Sequence, residues 1–228
     1  MSLPPNIIAK WDAYLAEERT GVRSVALTQL ESFITELLLR PVAEWHPWAI
    51  EIATEVVDNG IDLPVRMPLF RSVLFPALHT EVVAGSASAA RWLAGFSQLL
   101  YHSQNCRDQL APELQSEHGL ILEAVRRDPT DSRAKHRLRA ILQSRFDYSL
   151  HELPTGVLYG HNGATVEQCA EMIEELADYA KLCDDIGATE TDAELIEEAS
   201  FHLSAYRRYL LQRDSYANYP DYLTQHQR

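Results

Sequence analysis

The residues of this chain best suited to chemistry by type and spacing sit at the end of one amphipathic stretch. Asp147 and His151 are four apart, so on a helix they share a face. Glu152 follows, and His161 lies within a glycine-rich stretch, 154–163. Imidazole and carboxylate together suit metal ligation or general acid–base work. The string His151-Glu152-Leu153-Pro154-Thr155 opens like the H-E-x-x-H signature, in which two histidines one helical turn apart hold zinc. Here Thr155 takes the second histidine's place, and Pro154 denies the unbroken helix. The spacing therefore argues against a bound metal. An all-α metal-dependent or acid–base enzyme built on His151, Glu152 and His161 is the alternative reading.

Other catalytic patterns are not matched. There is no G-x-S-x-G elbow. Gly156, Gly160 and Gly163 fit neither G-x-G-x-x-G nor the Walker spacing. Cys106 lies four residues from His102, but a buried cysteine is usually an inert small hydrophobe. Adjacent carboxylates such as Asp184 and Asp185 point about 100° apart on a helix and chelate poorly. No cofactor is implied.

Charge says more. The chain has 228 residues, with 33 acidic against 20 basic, for a formal charge of −13. Nucleic acid and anionic membrane surfaces need a basic footprint, so both are disfavoured. The acidity is concentrated. Glu167, Glu171, Glu174, Glu175 and Asp178 form a stripe, Glu190 to Glu198 continue it, and Lys181 is the only basic residue between 165 and 199. The preceding stretch carries Arg126, Arg127, Arg133, Lys135, Arg137, Arg139 and Arg145. The two regions can pair internally, or the acidic face can receive a basic partner. Near the C-terminus Tyr209, Tyr216 and Tyr219 are interleaved with arginines, a composition common at interface hot spots.

The elements that carry these residues are helical. Apolar residues recur at i, i+3, i+4 and i+7 in segment after segment, as in Ala26, Leu30, Phe33, Ile34 and Leu37. Pro41 or Pro47 starts a helix that ends at Asn59-Gly60, and Pro76 implies a kink or break. Thr165 with Gln168, and Thr191 with Glu194, have the form of capping boxes. Leu138, Ile141, Ile173 and Leu176 fall at the centres of their stripes and are expected in the core. The segment Leu120–Leu142, two amphipathic helices around Asp128-Pro129, resembles half of a tetratricopeptide unit. That family's tryptophan, glycine and tyrosine positions are not matched, and no fixed period recurs.

The fold class expected is all-α: an irregular multi-helix bundle or a short α-solenoid of about eight to nine antiparallel helices. Residues 1–228 would form one domain, with 1–113 and 114–228 as alternative halves. A pocket near Trp45, Trp48 and Trp92 would suit a ligand-binding bundle. Three unpaired cysteines, no secretory leader and no apolar run of about 20 residues fit a cytoplasmic protein. The reading favoured by the residues is a non-enzymatic helical protein–protein interaction module, an adaptor or immunity-type binder. Its site would be the acidic stripe Glu167–Asp178 with Tyr209, Tyr216 and Tyr219. Its partner would be a protein, a basic one being the natural complement, and association with a second copy is also allowed.

Overall fold

A computed structural model of the chain describes residues 3–153 and 165–226. Among them there is no strand, and twelve helices account for the fold. No helix among the described residues is long and apolar enough to cross a membrane. The chain forms two compact units, Met1–Ala134 and Lys135–Arg228.

The first unit opens on α1 (Pro5–Thr20) and α2 (Arg23–Leu38), which pack together. The turn between them is short because Gly21 adopts φ 77°, a left-handed conformation that costs a side-chain-bearing residue. Ile7, Trp11 and Tyr14 of α1 and Leu30, Phe33 and Leu37 of α2 are buried, with the Trp11 and Phe33 rings 5.3 Å apart. Helix α3 (Val42–Val57) starts directly after Pro41, and Pro47 is accommodated within it.

A continuous helical run, α4 (67–83), follows. Its turn Phe70–Leu74 is widened to a π-helix, the local answer to Pro76. Pro76 has no N–H to donate to the ladder. The Phe75 amide reaches back five residues to the Phe70 carbonyl instead. The strain expected as a kink is thus absorbed as one wide turn.

Ser86 caps α5 (Ala87–Gly95) by accepting the Ala89 amide. The stripe Ala89–Leu100 does not continue as one helix. It breaks at Phe96 into α6 (Ser97–Tyr101), and α7 (Gln104–Arg107) follows. Such breaks carry the helix count above eight or nine. Helix α8 (Glu117–Arg127) returns to pack on α5.

Gly119, in the first turn of α8, is required by space. A Cβ there would stand 1.7 Å from the Glu113 carbonyl oxygen, in the 3₁₀ turn Pro112–Leu114. Gly119→Ala should therefore destabilise the protein by about 1–3 kcal/mol of overpacking. That outweighs alanine's helix-propensity gain of about 1 kcal/mol. A thermal melt checks it: an unchanged or raised Tm would show that the 112–114 turn yields freely.

The second unit holds α9 (Ser132–Glu152, its body from Lys135 on), α10 (Val166–Asp185), α11 (Thr189–Leu211) and α12 (Tyr219–His226). The Thr165–Gln168 capping box is formed, with reciprocal bonds of 2.9 and 3.2 Å. The second box is not. Helix α11 begins at Thr189, so Thr191 lies inside it and Asp192 enters its first turn. Leu138 and Leu176 are buried, whereas Ile141 and Ile173 are only half-buried. The buried face of α10 runs instead through Cys169, Met172, Leu176, Tyr179 and Cys183.

A candidate protein-interaction surface

The acidic stripe of α10 divides into paired and unpaired carboxylates. Glu175 turns to α9 and accepts from Arg145 at 2.6 Å, and Asp185 meets Lys135 at 3.5 Å. On α11, Asp192 is buried and receives both arms of Arg139, at 2.6 and 2.8 Å. Three of the basic residues on α9 are thus spent on internal pairs. Glu171, Glu174 and Asp178 are exposed, with no ion pair among the described residues. Glu167 is also exposed. Its carboxyl is held below the usual range first by its own backbone amide, then by Thr165. Internally paired and exposed, unpaired carboxylates are therefore present together on one helix among the described residues.

The tyrosines are used differently from the sequence expectation. Tyr209 and Tyr219 are buried, and Tyr216 is half-buried. Their rings pack with Tyr206 and Tyr222. Tyr206 meets Tyr219 edge-on at 5.0 Å, and Tyr222 stacks on His226 at 4.3 Å. This cluster docks α12 onto α11. The aromatic side chain that α11 presents to solvent is Phe201, 49 % exposed. It borders two clefts. One, of about 550 Å³, lies toward α10 and is lined by Ala180, Ala193 and Ile196. The other, about 280 Å³, lies toward α12 and is lined by Ser204, Ala205, Arg208, Tyr222 and His226. The sequence does hold a signal for Phe201, which falls outside the apolar stripe Ala199, Leu203, Tyr206. A large aromatic on the polar face is the informative exception.

His151 is exposed and faces an open cleft of about 450 Å³ between α9 and α11, with Asp147, Glu194 and Glu198 on its walls. Among the described residues no three His, Cys, Asp or Glu side chains are placed to hold a metal ion. Glu152 is half-buried at the end of α9, and His161 lies outside the described residues.

The thiols are all buried. Burial pushes Cys169 up to about 11, and burial with the Asp192 carboxylate beside it does the same to Cys183. A thiol so disfavoured as thiolate is a poor nucleophile. Cys106 accepts from the Ser103 hydroxyl at 3.1 Å.

The tryptophans are spent on packing and on a buried salt bridge. Trp45 is buried. Trp48 meets Trp11 and Phe33 edge-on at 5.3 and 5.2 Å. The Trp92 indole donates to Asp58.

Comparison with known protein families, curated proteins and solved structures finds no match.

Proposed function

We propose that the protein is a non-enzymatic helical interaction module, and that the outer flank of α10 receives a basic segment of another protein. The observation that carries this is the division of the stripe. Had the acidity served only internal pairing, the carboxylates would all face α9. Glu171, Glu174 and Asp178 instead stand exposed at i, i+3 and i+7, and so does Glu167, four residues before Glu171. Each like-charge pair costs a helix roughly 0.2–0.5 kcal/mol. A cationic partner would relieve that repulsion, and the long-range field of a chain at −13 would speed its approach.

The test is the double variant Glu171→Lys, Glu174→Lys. Its stability is expected to equal or exceed that of the parent, because repulsion is removed and no internal pair is touched. Its association with a stoichiometric partner recovered by the parent chain should be lost. A lowered melting temperature would show that the stripe is structural. Equal recovery of the partner by both chains would place the binding surface elsewhere.

A further inference from the structure

We propose that the exposed face of α11 pairs with the same face of a second copy, antiparallel about a two-fold axis passing near His202 and Leu203. Along this face stand Glu194, Glu197, Phe201, Ser204, Arg208 and Leu211. Their spacing alternates between three and four residues, the repeat by which one helix lies along another. Ser204 is half-buried and the rest are exposed, with Leu211 at 64 %. The face is acidic toward the N-terminus, aromatic at its middle and basic toward the C-terminus. Such a sequence is self-complementary only when a second copy runs in the opposite direction, which is the isologous geometry of a two-fold dimer.

The register follows from pairing unlike charges. With the axis near residues 202 and 203, Arg208 of each copy comes opposite Glu197 of the other. Each Phe201 then lies over Ser204 of the other copy. There the cleft bordered by Ser200, Ser204, Ala205, Tyr222 and His226 offers about 280 Å³ beside small side chains. Within its own chain neither Glu197 nor Arg208 makes an ion pair among the described residues. The occupant is thus a second copy of this chain, argued from charge complementarity, from an apolar knob and from a cleft beside it. The proposal does not rest on the α10 stripe, whose Glu171 and Glu174 lie outside this face.

Sedimentation velocity over a concentration series tests it. The parent chain is expected to show a concentration-dependent monomer–dimer equilibrium. Phe201→Asp should abolish the dimer while leaving the far-UV circular dichroism unchanged. Glu197→Arg alone and Arg208→Glu alone should each weaken dimerisation by about tenfold or more, and the two together should restore it. A parent chain monomeric at its highest soluble concentration overturns the proposal. So does a dimer insensitive to Phe201→Asp, or a folded charge-swapped variant that fails to recover dimerisation. Since Phe201 is half-exposed, its loss leaves the core intact. Should Phe201→Asp nonetheless unfold, the charge swap alone decides the matter.

Discussion

Replacing Arg91 by methionine is expected to destabilise the first unit by about 3–5 kcal/mol, the cost of leaving a buried partner charge uncompensated. Arg91 is only 8 % exposed. Its guanidinium donates through one arm to Asp131 at 2.8 Å and through two others to Asp58. Asp58 also accepts from the Trp92 indole at 2.8 Å, with Arg133 at 3.4 Å. Three segments meet there: the end of α3, the middle of α5 and the start of α9, where Asp131 accepts the Ala134 amide. Burial acts to raise the Asp58 carboxyl, but hydrogen bonds from Arg91 and Trp92 outweigh it and hold the group below its ordinary value. Without Arg91 the burial effect is left opposed only by weaker neighbours, and the carboxyl should rise.

The sign of the pH dependence follows. In the parent the depressed Asp58 contributes stability above the ordinary carboxylate value near 3.8, and this is lost as pH falls below it. In Arg91→Met the raised carboxyl loses stability as pH climbs through its folded value. The gap between the two proteins is therefore widest at neutral pH and narrows on acidification. Urea unfolding followed by tryptophan fluorescence reads the first unit directly, because Trp11, Trp45, Trp48 and Trp92 all lie in it. Equal midpoints at pH 7 would show that the network contributes nothing net. A gap that does not narrow toward pH 4 would show that Asp58 is not the group left stranded.

The helices themselves were legible in the sequence wherever periodicity alone decides them. Ala26, Leu30, Phe33 and Leu37 are buried as their spacing requires, and so are Leu138 and Leu176. Local signals that depend on neighbours are less legible. Thr191 and Glu194 have the letters of a capping box, yet the chain enters α11 two residues earlier. The turn at Gly187, with φ 69°, aims the backbone into the helix before Thr191 is reached. The C-terminal tyrosines have a composition equally suited to an interface and to a core, and composition carries no facing. Their burial comes from α12 folding back on α11, which is a tertiary event. The division of the acidic stripe was open for the same reason. Glu174 and Glu175 are neighbours in sequence, and only the position of Arg145 on α9 decides that one is paired and the other is not.

The largest effect expected in the second unit is at Asp192. It is 1 % exposed in the first turn of α11. Arg139 grips both its oxygens, and the Cys183 thiol donates to it at 3.2 Å. The Tyr179 hydroxyl lies buried nearby on α10 and helps lower the Asp192 carboxyl. Hydrogen bonding from Arg139 foremost, with burial opposing, keeps the Asp192 carboxyl below its ordinary value. Its contribution is therefore present above about pH 4 and is lost as pH falls through the folded value. Asp192→Ala should cost about 3 kcal/mol, the lower end of the range for breaking a buried pair. The lower end applies because the Arg139 side chain is 22 % exposed and can turn partly to water. The same substitution removes the carboxylate to which the Cys183 thiol donates, so the melt should fall further than for a surface pair, which is worth about 0–1 kcal/mol. Replacing both members, as Arg139→Leu with Asp192→Leu, separates two quantities that the single variant merges. If the loss comes from an orphaned charge, the double variant should recover most of the parent's stability at pH 7, and its stability should no longer fall on acidification through the Asp192 range. If the double variant is as unstable as Asp192→Ala, the bidentate pair itself, and not the avoidance of a stranded guanidinium, holds α9 to α11.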